Sequence, residues 1–215
     1  MASFALITEG ITDQVAISAV LYGLYDEDEL EIRPVQPLRD ATDEARQGNR
    51  AGWEKVFEYC SLDDFAAVFA TNDYVIIQVD TDVCGHPNFP VALVDENGER
   101  SPGELVEEVK SFINAKIPPA ILSTYGSRIF YAISVHSLEC WLLPLHATTA
   151  GDKRRTKSCE AHLARALARK DIGFRKDYRT YTTLAKPLEK RAGIETVSKH
   201  NDSFAIFVAS LPSEQ

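Results

Sequence analysis

Asp80 and Asp82 close the apolar run Tyr74-Val-Ile-Ile-Gln-Val79, and Glu9 closes the shorter run Phe4-Ala-Leu-Ile-Thr8 in the same way. Carboxylates gathered at one place repel one another unless a cation sits among them, and each offers hard oxygen donors. The chemistry this set supports is the binding of a divalent, oxygen-preferring ion. The competing account is that these are ordinary acids in the turns that follow strands. Side chains at i and i+2 of a strand share a face, so Asp80 and Asp82 are expected to project together from the strand end. In open α/β sheets that C-terminal edge is where ligands sit.

The surrounding sequence supplies elements suited to hold them there. Tyr74 to Val79 is β-branched and apolar, as in a strand buried on both faces. After Glu9-Gly10 a helix is expected from Thr12, as N-cap, to about Leu24, with Val15, Ala16, Ala19, Val20 and Leu21 as its apolar stripe and Asp13 in its first turn. The amides of that helix start lie beside Glu9, suited to a phosphate or to water around a metal. Further strands are expected at Leu30 to Val35 and Arg128 to Val135. A helix from about Gly52 to Tyr59 and a helix opened by Ser101-Pro-Gly-Glu104 lie between them. The strand ending at Val135 runs into His136-Ser-Leu-Glu139, where Ser137 is read as the cap of a short helix with Glu139 in its first turn. Two helices, Thr182 to Ala192 and Ser203 to Leu211, close the chain. The fold class is therefore α/β: a mostly parallel central sheet with helices on both faces, residues 1–150, and a basic helical part, residues 151–215, packed on it.

Length and composition exclude several classes. A chain of 215 residues with 45% hydrophobic and 26% charged residues is ordinary for a globular protein, and no stretch is apolar enough to span a bilayer. The start of the sequence has no signal-peptide pattern, so the expected location is the cytoplasm. Cys60, Cys84, Cys140 and Cys159 show no C-x-x-C spacing and are expected as free thiols. Cys84-Gly-His86 lacks the second ligand pair that zinc requires. Charge is distributed unevenly: residues 151–191 carry thirteen Lys or Arg against five Asp or Glu, a balance of +8 within a chain of net charge −9. A surface facing a polyanion and a solvated helix face both account for that. Arg39, Arg46 and Arg50, in a polar loop, are further candidate substrate contacts.

Strand-Glu9-Gly10-x-x-Asp13-helix, followed by a strand closed by Asp80-x-Asp82, resembles the Toprim domain shared by topoisomerases, bacterial primases and several nucleases. His136-Ser-Leu-Glu139-Cys-Trp141 and Asn201-Asp-Ser-Phe204 are similar to segments of stand-alone Toprim-like proteins among nucleases and phage-defence effectors. The resemblance implies magnesium on the aspartates, with the glutamate in acid/base chemistry or metal binding. It carries these roles to Glu9, Asp80 and Asp82 and, on looser matches, to Asp13 and Glu139. A topoisomerase's tyrosine-bearing domain and a primase's zinc module and polymerase body have no counterpart here. No G-x-x-x-x-G-K-[ST] loop is present either, so any ATPase activity would come from a partner protein in trans.

The reading that follows is an Mg2+- or Mn2+-dependent nuclease acting on DNA or RNA, the effector of an antiviral defence system. Glu9, Asp80, Asp82 and Glu139 would be its catalytic carboxylates, and His136 either the group that protonates a leaving oxygen or a hydrogen-bonded structural residue at the strand end. Lys153, Arg154, Arg155, Lys157, Arg175 and Lys176 would grip the backbone, while Phe174, Tyr178 and Tyr181 stack on exposed bases. Two alternatives use the same acids: a non-catalytic, metal-binding or regulatory subunit of a defence complex, and a phosphatase or phosphotransferase acting on small molecules. Self-association into a homo-oligomer is left open.

Overall fold

The computed structural model describes residues 1–38, 52–96 and 98–213. In chain order its elements are β1 (Ala2–Ile7), α1 (Ile11–Leu24), β2 (Leu30–Gln36), α2 (Trp53–Cys60), β3 (Tyr74–Asp80), the two-residue strands β4 (Val94–Asp95) and β5 (Gly98–Glu99), α3 (Pro102–Asn114), α4 (Pro119–Tyr125), β6 (Ile129–Ser134), α5 (Glu139–His146), α6 (Ala150–Lys153), α7 (Cys159–Ala168), α8 (Tyr178–Ala185), α9 (Arg191–Ser198) and α10 (Asp202–Ser210). Arg39, Arg46 and Arg50 lie outside the described residues.

The four longer strands form one parallel sheet in the order β2-β1-β3-β6. β1 connects to β2 on one side, and the chain then crosses to β3 on the other. The C-terminal ends of β1 and β3 therefore flank the point where the strand order reverses, the crevice in which such sheets take ligands. All four expected strands are present, within two residues of their expected ends.

Strand parity divides the core into two layers. Phe4, Leu6, Ile76 and Ala132 face one way, into a cluster built with α1, α5 and α7 to α10. Ala5, Ile7, Val75, Ile77, Val79, Tyr131 and Ile133 face the other, into a cluster built with α2, α3, α4 and the 3-10 segment Asp63–Ala70. The residues of α7 to α10 share a core with β1, so they form one cover of the sheet. Shortening a fully buried Leu or Ile such as Leu6 or Ile77 to Ala costs about 2–5 kcal/mol.

Local expectations are corrected at several points. α1 starts after Gly10, with no side-chain cap from Thr12, and it is buried nearly all round because α8, α9 and the Lys186–Glu189 turn pack over its outer side. That packing is close: a Cβ on Gly23 would lie 2.1 Å from the Leu188 carbonyl oxygen. α5 has Leu138 as its N-cap with no side-chain cap bond, so Ser137 does not cap it. The capping box of Ser101 and Glu104 at α3 is present as expected. The single helix expected over Thr182 to Ala192 is broken: α8 ends at Ala185, the 3-10 turn containing Pro187 follows, and α9 begins at Arg191. Cys140 and Cys159, expected as free thiols, form a disulfide with their Cα atoms 5.0 Å apart. Their separation of 19 residues carries no motif, and only the packing of α5 on α7 brings them together. Cys60 and Cys84 are free. Among the described residues no helix is long and apolar enough to cross a membrane.

Candidate functional site

Gln78 fixes the geometry at the reversal point. It shares a face with Ile76 and Asp80, and its position near the end of β3 lets its amide bridge the two strand ends. Its Oε1 accepts the Glu9 amide at 3.1 Å, while its Nε2 donates to Asp80 Oδ1 at 3.0 Å. Glu9 reaches back, its Oε1 accepting the Asp80 amide at 2.6 Å. Asp80 Oδ2 accepts the Leu138 amide at 3.2 Å, which ties in the β6–α5 connection. Thr8, preceding Glu9, donates its amide to Gln36 O at 2.7 Å and its hydroxyl to Gly10 O at 2.9 Å. Both strand ends are thus locked to their neighbours before any ligand arrives.

Two further carboxylates join from the helical layer. Asp13, in the first turn of α1, is buried, and Glu139, at the start of α5, is 3% exposed. Gly10 allows the approach of Asp13, since a Cβ there would lie 3.0 Å from Asp13 Oδ2. Glu139 accepts the Tyr181 hydroxyl of α8 and pairs with Lys176 Nζ at 3.3 Å. Lys176 also pairs with Glu160 at 2.8 Å.

The electrostatics separate these acids into two kinds. Desolvation, opposed by the Asp80 amide and reinforced by Asp13 and Asp82, pushes Glu9 up to about 8. Desolvation and the Glu139 charge push Asp13 up to about 7. Desolvation, then Asp13, Glu9, Glu139 and Asp82, hold Asp80 well above the usual carboxylate range. At Glu139 burial also acts upward, but the Tyr181 and Ser137 hydroxyls and Lys176 outweigh it, so its value falls below the ordinary one. One carboxylate is therefore satisfied by the protein itself, and three carry an unmet demand for positive charge.

Asp82 departs from expectation. β3 ends at Asp80, and Asp82 lies in the turn beyond, exposed, so the i, i+2 rule for a strand does not place it beside Asp80. Desolvation and Glu139 raise its value, and Lys176 and His136 act against that. His136 has a left-handed backbone (φ 66°) and donates its amide to Thr81 Oγ1 at 2.7 Å. Desolvation lowers its imidazole below the ordinary value. The basic residues do not form one strip. Lys176 sits on the acidic edge, Lys157 pairs with Glu99, and Arg155 pairs with Asp152 at 3.2 Å. Lys153 is half-buried, Arg154 and Arg175 are exposed, and Arg154 lines a separate pocket.

Hard carboxylate oxygens with raised pKa values are the donor chemistry that Mg2+ or Mn2+ takes. Glu9, Asp80 and Asp13 fit that ion in type. As placed here they are held by the Gln78, Asp80 and Leu138 contacts, and among the described residues no three groups stand as a ready ligand set. Gln78 was not picked out from the sequence, and Tyr181, expected to stack on exposed bases, is instead 1% exposed with its hydroxyl on Glu139. A signal existed for Gln78, the single polar residue inside the apolar run Tyr74 to Val79. For the pairing of Tyr181 with Glu139, 42 residues apart, there was none. Compared with protein-family models, with curated proteins and with solved structures, the chain matches none of them.

Proposed function

We propose that the chain is a Toprim-like, Mg2+- or Mn2+-dependent nuclease that hydrolyses phosphodiester bonds in DNA or RNA. The single observation behind this reading is the acidic edge itself: Glu9, Asp13 and Asp80 come from three segments to the sheet's reversal point, and each is held above its ordinary pKa. A buried arrangement that is unfavourable alone is best understood by the cation it would take. Asp80 and Glu9, with Asp82 from the adjoining turn, are the residues that would hold the metal, and Asp13 and Glu139 surround them. The bound ion would supply neutralisation of the phosphate's charge and a lowered pKa for its water.

Glu9 Oε1 is committed to the Asp80 amide, which leaves Oε2 as the atom to take a proton from the attacking water. Lys176 and Tyr181 keep Glu139 ionised and oriented. His136 has its pKa lowered, opposite to what a general acid needs, and in this reading it shapes the loop through its backbone. The role of antiviral effector and an ATPase partner in trans rest on the sequence resemblance.

The rival is a metal-binding or regulatory, non-catalytic subunit, favoured by the net charge of −9, since a nuclease working alone usually presents more positive surface. Incubating the protein with labelled plasmid, single-stranded DNA and total RNA, in magnesium or manganese and in chelator, separates the two. Cleavage of at least one substrate, in metal only, is the expected result. Intact substrates in every lane would favour the rival.

A further inference from the structure

A pocket of about 290 Å3 opens beside β6, lined among others by Val135, Arg154, Lys199, His200, Asp202 and Ser203. Its volume is room for roughly ten waters, well beyond a structural water site. Val135 follows Ser134, the register partner of Asp80 on the neighbouring strand, and the Val135 amide meets Ser203 Oγ at 3.4 Å. Adjacent strands lie about 4.8 Å apart, so the pocket borders the same end of the sheet on the strand beside that of Asp80.

Its chemistry is the reverse of the edge's. Arg155, Lys157 and Lys176 are each paired with a carboxylate, whereas among the described residues Arg154 and Lys199 are not. Two basic residues from separate segments, Arg154 and Lys199, therefore line the pocket with one carboxylate, Asp202. His200 Nδ1 lies 2.8 Å from the Thr196 carbonyl, which can only accept. That nitrogen thus carries the hydrogen, and Nε2 of the neutral ring is an acceptor that adds no donor for a phosphate. Asn201 Oδ1 takes the Phe204 amide, and the first two amides of α10 have no acceptor among the described residues.

We infer that this pocket binds a phosphate of the nucleic acid strand, next to the linkage presented to the acidic edge. The inference rests on the nuclease reading for what stands at that edge. An edge of repelling carboxylates in a chain of net charge −9 does not itself attract a polyanion. Arg154, Lys199 and the α10 amides supply the attraction and fix the strand's register. The same chemistry suits an internal phosphate or a terminal one, and the test separates them.

Binding of a fluorescent single-stranded oligonucleotide, with and without a 5′-phosphate, is measured in chelator over a range of salt for wild type, Arg154→Ala/Lys199→Ala and the conservative Arg154→Lys/Lys199→Arg. Both side chains are exposed, so the folds are comparable, and melting curves check this. The alanine pair should weaken binding on the order of tenfold at low salt and flatten the salt dependence by roughly 0.7 of slope for each phosphate whose charge is no longer neutralised, with the conservative pair retaining it. Weakening with both oligonucleotides identifies an internal phosphate, and weakening confined to the phosphorylated one a terminal phosphate. Unchanged affinity and slope overturn the inference. If the alanine pair binds more weakly while wild type cuts nothing in metal, the pocket stands and the nuclease reading falls. If wild type cuts and the alanine pair binds and cuts like it, the pocket falls alone.

Discussion

The two faces of the sheet have been put to different uses. On the side of α2, α3 and α4, Val75, Ile77 and Val79 meet Val56, Phe57, Phe89, Leu105 and Val109 in a layer whose strand positions are apolar to the end. On the other side the alternate positions of the same strand begin apolar at Ile76 and turn polar at Gln78 and Asp80. There they meet Asp13, Glu139 and Tyr181. One face stabilises the fold by burying apolar area. The other gives up part of that stability to buried carboxylates, which are unfavourable until something compensates them. A strand can carry both because successive residues point to opposite faces.

Substitutions sharpen that contrast, beginning with the reaction. Glu9→Gln should lower metal-dependent cleavage by roughly 10²–10⁴-fold if Glu9 is the base, and Asp80→Asn should lower it at least as far. Rates under single-turnover conditions measure this. On the inert face, Ile77→Ala should cost about 2–5 kcal/mol in urea unfolding and leave the cleavage rate of the folded fraction unchanged. Gln78→Leu, one residue along, should cost less, about 1–3 kcal/mol, because it strands the Glu9 amide and an Asp80 oxygen, yet it should also slow cleavage. If Ile77→Ala and Gln78→Leu had the same profile, the two faces would not differ as described.

The smallest effect is on pH dependence. Glu9 and Asp13, held up to about 8 and about 7, keep their protons in the fold after the unfolded chain has lost them. Their stabilising contribution is complete below the unfolded values near roughly 4 and is lost as pH rises through 7 and 8. Metal-free protein should therefore melt at a higher temperature near pH 5 than near pH 8.5, and magnesium should narrow that difference. A metal-free protein most stable at pH 8.5 would contradict the raised values.

Much of the architecture was legible because the apolar runs of β1, β2, β3 and β6 are short, β-branched and separated by helical patterns. Glu9 and Asp80 were legible because each ends such a run. Asp82 lies past the last residue of β3, so the strand rule does not reach it, and it acts on Glu9 and Asp80 from the adjoining turn. Asp13 and Glu139 were visible only as acids in first turns, which helix dipoles also favour, and their convergence depends on how α1 and α5 pack. The pairing of Lys176 with Glu139 and the Cys140–Cys159 bond depend on how separate segments pack on α5, for which one sequence holds no signal. A surplus of charge in residues 151–191 was visible, but not that Lys157, Arg155 and Lys176 are taken up by ion pairs while Arg154 faces a pocket.

The central claim, that the acidic edge is a cation site, is tested most directly by melting temperature in magnesium against chelator at pH 8, for wild type and Asp80→Asn. At a magnesium concentration about 100 times the dissociation constant the gain is roughly 2.7 kcal/mol. For a chain of this size that is roughly 5–10 °C. Wild type should show the gain, and Asp80→Asn should lose it while melting, in chelator, no lower than wild type. A wild type indifferent to magnesium, or an Asp80→Asn protein that gains as much, would contradict the account.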